Sequence, residues 1–183
     1  MDNQDELKYI QRIRDGETNL FSYFLTRYSN SIYSLIFRVI PNKEDAEELT
    51  QDTFLKAFKK LDSFKGDCSF STWLFRIAYN TAVSSTRKRK IVYPLIDEAI
   101  LERVSDDMAE AVFEEDEDEV LLQKLEIAVE KLTVEEKALI TLYYTDEKSV
   151  SEIAAIFEQT TDNIKIKLFR VRKKLYVLMN IMN

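Results

Sequence analysis

Only four residues of this 183-residue chain are glycine or proline, and this scarcity restricts what the chain can fold into. They are Gly16, Pro41, Gly66 and Pro94. Proteins built from many short strands need frequent turn residues, whereas Gly and Pro are unfavourable inside helices. Because Leu, Ile, Lys and Glu are also abundant, the composition predicts an all-α protein.

The chemically reactive residue types are nearly missing. The chain has one cysteine, Cys68, and no histidine, which argues against a disulfide framework, a zinc site and the usual nucleophile and general-base pairs. We therefore expect no metal and no cofactor. The polar N-terminus and the lack of an apolar run of about 18 residues predict a cytoplasmic protein without membrane insertion.

Residues 64–90 form the segment with the most distinctive chemistry. A small polar loop, flanked by Phe64 and Phe70, leads into an amphipathic helix that contains the only tryptophan, Trp73. Four consecutive cations, residues 87–90, end the segment. Aromatic rings beside a cationic helix suit a nucleic-acid strand, which offers bases to stack and phosphates to neutralise. A core helix with a solvated basic end explains the same residues, so both interpretations stay open here.

A second cationic pattern occupies residues 150–183. Helical spacing predicts a short helix from the apolar positions Val150, Ile153, Ala154 and Phe157. After a polar turn it predicts a longer helix from the apolar positions Ile164, Leu168, Val171 and Leu175. Six cations lie between the apolar positions of that second helix, which is typical of a DNA-binding helix-turn-helix. The open alternative is an αα-hairpin with a solvated basic face.

The net charge of −7 is unusual for a nucleic-acid binder, but the charge is unevenly distributed. Residues 97–119 hold twelve acids and one arginine, a local charge of −11, which leaves +4 on the rest of the chain. Residues 161–183 carry +5, from six cations and one acid. Salt limits electrostatic reach to about 8–10 Å, so local charge governs phosphate contacts. The overall acidity therefore does not exclude DNA binding.

The apolar periodicity divides the chain into three parts. Residues 1–90 are predicted to form a four-helix domain. Residues 91–119 are predicted to be a mostly extended acidic linker that is helical at its C-terminal end, although a merely solubilising spacer fits as well. Residues 120–183 are predicted to form a second helical domain that ends in the helix-turn-helix.

Local signals place the helix boundaries. In the first domain, helices are predicted over 5–14, 20–40, 42–61 and 71–90. Asn42 is predicted to cap the third helix, and Trp73 is assigned to the inner stripe of the fourth. In the second domain, Thr133 and Glu136 have the spacing of a capping box.

These motifs resemble the extracytoplasmic-function sigma factors of bacterial RNA polymerase, over nearly the whole chain. DAEELTQDTFLKAF at 45–58 is similar to the family's polymerase-binding helix, and LDSFKGDCSFSTWLFRIAYNTA at 61–82 is similar to its promoter-melting segment. LTVEEKALITLYY, SVSEIAAIF and TTDNIKIKLFRVRKKL, in that order, resemble the domain that reads the upstream promoter element. Glu158 stands where the family often has a small residue or glycine.

The resemblance implies a protein that does no bond chemistry, brings core RNA polymerase to promoter DNA and starts strand opening, with the loop after Phe64 holding a flipped base. At the −10 element it implies Phe64, Lys65, Asp67, Arg76, Asn80, Ser84, Arg87 and Lys88. At the −35 element it implies Lys165, Ile166, Lys167, Phe169, Arg170 and Lys174. At the polymerase contact it implies Glu48, Gln51, Asp52 and Leu55.

The resemblance also implies an anti-sigma factor as a further partner. The 29 linker residues, 91–119, can span at most about 95 Å when extended, enough to connect two separated promoter elements. One alternative is a helix-turn-helix regulator that acts without core polymerase, although a duplex reader has little use for a base-capturing loop. The other is a small nucleic-acid enzyme, whose catalytic groups would have to be carboxylates.

Overall fold

The computed structural model describes residues 3–86, 96, 98–111 and 119–181. Its regular structure over these residues is entirely helical, which confirms the all-α prediction. None of the described helices is both long and apolar enough to cross a bilayer. The α-helices described are α1 (Asn3–Arg14), α2 (Ser22–Val39), α3 (Lys43–Lys59), α4 (Phe70–Thr86), α5 (Glu98–Glu102), α6 (Asp106–Ala111), α7 (Glu119–Glu130), α8 (Val134–Ile140), α9 (Val150–Phe157) and α10 (Thr161–Ile181).

Helices α1–α4 form the first helical unit, and their boundaries follow from local chemistry. Helix α1 ends just before Gly16, whose φ of 110° is a left-handed conformation that glycine adopts at little cost. Helix α2 ends two residues before Pro41, as a proline requires. The Asn42 side chain accepts a hydrogen bond from the Asp45 N–H at 2.8 Å, so the predicted cap of α3 is confirmed.

The core of the first unit is rich in aromatic rings. Phe24 and Phe70 are fully buried, with ring centroids 4.1 Å apart. Trp73 is 8% exposed and packs beside Phe70, which confirms its assignment to the inner stripe. Such tilted ring pairs add to the hydrophobic stabilisation that burial of large side chains provides. This cluster fixes the start of α4 and the loop that leads into it.

The acidic linker is not mostly extended where the structure describes it. Residues 98–111 form the two short helices α5 and α6, and both pack against α10. Val104, Ala109 and Val177 make a small buried cluster that joins the linker to α10. For residues 98–111 the prediction of an extended chain was wrong. It was based on the charge of this segment and did not account for the few apolar residues that pack against a distant helix.

Helices α7–α10 form the second helical unit. The predicted capping box at Thr133 and Glu136 is confirmed, and a second one at Ser149 and Glu152 starts α9. Between α9 and α10, Glu158 adopts the left-handed conformation with φ 56°, which turns of this kind usually assign to glycine. The tight helix-turn-helix therefore forms without a glycine.

The two units are in direct contact. Helix α4 packs along α9, and α2 packs against α8, so that one apolar core continues from one unit into the other. Phe75 of α4 and Ile153 of α9 are both buried in this core. No local sequence pattern predicts this contact, because the residues that make it lie far apart in the chain.

Candidate nucleic-acid interface

The exposed end of α10 has the shape and chemistry of a DNA-reading helix. Its buried face is the predicted stripe, and all four members are buried: Ile164, Leu168, Val171 and Leu175. The opposite face carries Lys165 and Arg170, both well exposed, and Ile166, which is 53% exposed. A helix held from behind by α8 and α9 can place such a face in a major groove. Phe169 is half-buried, and its ring lies 4.3 Å from the Lys173 ammonium.

Three cations of α10 are already paired with acids from other helices. Arg170 Nη2 lies 3.2 Å from Glu98 Oε1 of α5, in a pair that is exposed on both sides. Lys167 pairs with Glu135 of α8.

Lys174 differs from the other two paired cations. Its Nζ donates to Glu136 Oε2 at 2.8 Å, and its side chain is only 12% exposed. Glu136 is also the acid of the α8 capping box. Lys174 therefore fastens α10 to α8 and offers little surface to DNA, in contrast to its predicted role at the −35 element.

The loop before α4 is held from beneath by a buried aromatic ring. Phe64 is 4% exposed, and its ring packs 5.3 Å from Trp73 and 5.8 Å from Phe70. The ring cannot stack on a base without leaving this core, so the predicted base contact of Phe64 does not match the structure. Lys65 and Asp67 are exposed at the tip of the loop.

Arg14 fixes the backbone of the same loop. Its Nη2 donates to the carbonyl oxygens of Leu61 at 2.7 Å and of Phe64 at 2.5 Å. Gly66 then takes a φ of 82°, which turns the chain toward α4. Sequence reasoning missed Arg14, because 50 residues separate it from Phe64 and no local pattern connects them.

The outward face of α4 begins inside the contact between the units and continues into solvent. Asn80 and Ser84 are exposed, as a contact to DNA requires. Arg76 is partly buried and lies 3.5 Å from Glu158 Oε1 in the turn of the second unit. Arg87 and Lys88, which were also predicted at the −10 element, lie outside the described residues.

The four residues predicted to contact polymerase lie together on α3. Glu48 and Gln51 are exposed, Asp52 is half-buried, and Leu55 is an apolar side chain with 51% of its surface in solvent. These four residues follow each other at helical spacing and lie on one face.

The described residues contain no group of three His, Cys, Asp or Glu side chains arranged to hold a metal ion. Burial raises the pKa of the Cys68 thiol and is the largest influence on it. The charge of Arg76 opposes this rise in pKa, and the charge of Asp67 adds to it. A raised pKa makes a cysteine a weaker nucleophile at neutral pH.

Comparison with known proteins finds two family models and several relatives that match this chain. Residues 24–91 match the family model of Sigma-70 region 2, and residues 122–175 match that of Sigma-70, region 4. The chain is 31% identical over 170 residues to the ECF RNA polymerase sigma-E factor of Escherichia coli (strain K12), covering 90% of this chain and 88% of that protein. It is 32% identical over 174 residues to the ECF RNA polymerase sigma factor SigW of Bacillus subtilis (strain 168), covering 92% and 93%.

Two solved structures share the fold. The sigma factor RpoE from Bartonella quintana, in complex with the anti-sigma factor NepR, has a TM-score of 0.62 at 24% identity, over 89% of this chain and 98% of that one. CnrH, in complex with the cytosolic domain of CnrY, has a TM-score of 0.67 at 22% identity, over 96% and 97%. The helix-turn-helix, the loop before α4 and the coverage of both regions lead to one conclusion: the chain belongs to the ECF RNA polymerase sigma factors.

Proposed function

We propose that this sigma factor divides promoter recognition between two surfaces and binds core polymerase through a third. The proposed boundaries are 1–90 for the melting and polymerase-binding domain, 91–119 for the acidic linker and 120–183 for the domain that reads the −35 element. One observation supports the division above all. The exposed end of α10 and the exposed loop at Lys65 and Asp67 belong to different helical units, so each can contact DNA on its own.

The −35 element is assigned to the exposed end of α10. Lys165, Ile166, Phe169 and Arg170 would face base edges and phosphates of the major groove. Arginine reads guanine through two hydrogen bonds, and an apolar side chain such as isoleucine suits a thymine methyl group. Lys167 would join them once it exchanges its pairing with Glu135 for a phosphate.

The −10 element is assigned to the loop and the outward face of α4. Lys65 and Asp67 offer hydrogen-bonding groups to a base that has left the stack, while Phe64 supports the loop from below. Asn80, Ser84 and Arg76 would contact the adjoining strand, together with Arg87 and Lys88 beyond the described residues. Because the loop backbone is fixed by Arg14, little ordering entropy is lost on binding.

Core polymerase is assigned to the α3 face formed by Glu48, Gln51, Asp52 and Leu55. Exposed Leu55 would be the apolar centre of the contact, and the polar residues would surround it. By similarity to RpoE, whose structure includes an anti-sigma factor, we further propose an anti-sigma factor as a partner of this chain. The sigma factor itself would act in the cytoplasm, and its role would be binding rather than catalysis.

Promoter opening tests this division of work. Run-off transcription with core polymerase on a genomic library would first identify a promoter. On this promoter, the double variant Lys65→Ala/Asn80→Ala should still form the closed complex. The reactivity of unpaired thymines to permanganate should fall about 5- to 150-fold, which corresponds to about 1–3 kcal/mol of lost hydrogen bonding to the base. Lys8→Ala, on the exposed face of α1, is the control. Normal thymine reactivity in the double variant would remove the loop from the melting mechanism.

A further inference from the structure

The loop proposed to hold a base is suspended between two fixed points. Arg14 of α1 holds its first end, because Arg14 Nη2 donates to the carbonyl oxygen of Phe64 at 2.5 Å. Ser69 holds its other end, where Ser69 Oγ accepts the N–H of Thr72 at 3.0 Å and caps the start of α4. Four residues, 65–68, lie between these two points. The backbone of so short a segment has little freedom once both of its ends are fixed.

Arg14 acts at the end of a short 3₁₀ turn, Leu61–Ser63, that precedes the loop. Its Nη2 also donates to the carbonyl oxygen of Leu61 at 2.7 Å, and its Nε lies 3.9 Å from Asp62 Oδ1. Carbonyl groups point out of the C-terminal end of a helical turn, where a cation is favourable. With 27% of its side chain exposed, Arg14 is well covered for an arginine. A guanidinium group presents its donors in one rigid plane, so it can hold two carbonyl groups at fixed positions.

Helix α1 is itself held firmly against the first unit. Ile10 and Ile13 are buried in the core. Glu6 is 4% exposed, and its Oε1 accepts a hydrogen bond from the Tyr28 hydroxyl of α2 at 2.6 Å and lies 3.2 Å from Arg27 Nε. A buried carboxylate that is both hydrogen-bonded and paired fixes the position of one helix on another. A side chain that projects from α1 toward the loop therefore starts from a rigid support.

A second contact joins α1 to the tip of the loop. The place that a Cβ atom of residue 66 would occupy lies 3.9 Å from Leu7 Cδ2, and Leu7 is 45% exposed. Helix α1 thus borders the loop at its first end and at its tip. Residues 3–14 lie outside the segment 24–91 that matches Sigma-70 region 2, so that match assigns no role to α1.

We propose that Arg14 is a positioning residue for base capture, which holds Lys65 and Asp67 through the loop backbone at the geometry in which they discriminate among the four bases. The inference rests on the proposed −10 role of this loop. Hydrogen bonds weaken steeply when donors and acceptors are misaligned, and a binding site must be held to within about 0.5 Å. A loop released by Arg14 would meet the base with the same side chains and lose its preference for one base.

Forked promoter DNA tests the proposal on the full chain bound to core polymerase, with the promoter identified by run-off transcription. An abasic site at each unpaired position of the −10 element would first locate the base whose removal weakens wild-type binding most. At that position, Arg14→Gln should bind the abasic template as the wild-type chain does. Its preference for the best base over the others should fall about tenfold, which corresponds to one hydrogen bond of ordinary strength.

Arg12→Gln is the matched control, because it makes the same substitution on the same helix. The Arg12 side chain pairs with Glu17, with Nε and Nη2 donating at 2.9 and 2.5 Å, and this variant should keep the base preference. Arg14→Lys keeps the charge and replaces the rigid plane of donors by one mobile ammonium group. Its base preference should lie between those of Arg14→Gln and the wild-type chain.

Amide hydrogen exchange of the free protein gives a readout that needs neither DNA nor polymerase. The Phe64 N–H donates to the carbonyl oxygen of Leu61 at 3.1 Å, in the turn that Arg14 holds. In Arg14→Gln this N–H should exchange about tenfold faster, because local opening becomes easier. The Trp73 N–H, which donates to the carbonyl oxygen of Ser69 at 3.1 Å, should exchange at the wild-type rate.

Four results would overturn the role of Arg14. They are an undiminished base preference in Arg14→Gln, an equal loss of preference in Arg12→Gln, unchanged exchange of the Phe64 N–H, and weaker binding of all templates by the same factor. The last result, if Arg14→Lys shared it, would mean that Arg14 only maintains the fold.

The double variant Lys65→Ala/Asp67→Ala separates this failure from that of the proposed function. If the double variant kept the wild-type base preference, the −10 role of the loop would fail, whatever Arg14 does. If the double variant lost the preference and Arg14→Gln kept it, the loop would still hold the base and only the role of Arg14 would fail.

Discussion

The two surfaces that we propose to contact DNA are held in different ways. The loop before α4 rests on buried aromatic rings and on hydrogen bonds from Arg14 to backbone carbonyls. Helix α10 also packs through a buried apolar stripe, but three cations of its surface are held in ion pairs with Glu98, Glu135 and Glu136. Packing and backbone hydrogen bonds are insensitive to salt, whereas exposed ion pairs are screened by it.

The difference indicates how each surface meets DNA. A loop fixed by packing is already shaped for a base and changes little on binding. A helix whose cations are paired with carboxylates must exchange them for phosphates, so its binding competes with the protein's own acids. The first surface should therefore depend on core integrity and the second on charge.

Phe64→Ala gives the largest expected effect and tests the dependence of the loop on packing. Removing a buried phenylalanine ring is expected to lower the free energy of unfolding by about 3–5 kcal/mol. Thermal melting by circular dichroism measures it, and open-complex formation should fall as the fold is lost. Lys65→Ala is the control, because this exposed neighbour should alter promoter opening without changing the melting temperature. A stable Phe64→Ala protein would contradict the packing role.

Arg170→Ala tests the charged surface. If Arg170 reads a guanine through two hydrogen bonds, closed-complex formation should weaken by about 1–3 kcal/mol, while activity on pre-melted templates remains nearly intact. Arg172→Ala is the matched control, because Arg172 Nε donates to Tyr144 Oη at 2.7 Å and lies on another face of α10. Equal losses on duplex and pre-melted templates would remove the separation between the two surfaces.

Asp146→Asn tests the one buried carboxylate of the second unit whose hydrogen bonding is incomplete among the described residues. Its pKa of about 6 lies above the ordinary range of an aspartate, so the folded chain holds this proton more tightly than the unfolded chain. This contribution to stability is present at low pH and is lost as pH rises through about 6. At pH 8 the variant should be more stable by on the order of 1–2 kcal/mol, because each pKa unit corresponds to about 1.4 kcal/mol and partial solvation reduces the effect.

Urea titrations at pH 5 and pH 8 measure this difference. The wild-type protein should lose more stability between the two pH values than Asp146→Asn does. An identical pH dependence in both proteins would show that Asp146 does not carry the desolvated charge.

Glu98→Gln gives the smallest expected effect. The Glu98–Arg170 pair is exposed on both sides, so its removal should change stability by no more than about 1 kcal/mol. Freeing Arg170 should strengthen −35 binding up to about fivefold at low salt, and the gain should shrink as salt is added. Glu102→Gln removes the same charge from the same helix and serves as the control. An equal gain in both variants would indicate a general charge effect rather than competition for Arg170.

The amino-acid sequence by itself determined the main helices of the two units, the caps at Asn42 and Thr133, and the family. The cap at Asn42, the capping box at Thr133 and the inward position of Trp73 are each encoded within about four residues, the reach of helical periodicity and capping. The motifs of both regions, in their order, were sufficient to indicate a sigma factor.

Only the tertiary structure decided which of the residues predicted to contact DNA are accessible at the surface. The sequence pattern predicts that Phe64 is a loop aromatic that contacts a base, but its ring is buried. It predicts that Lys174 is a DNA-reading cation, but Lys174 is paired with Glu136. The ion pair of Arg76 with Glu158 joins residues that are far apart in sequence. Such partners are chosen by how whole helices pack, and the free energy of that packing is a sum over many distant contacts that no local pattern contains.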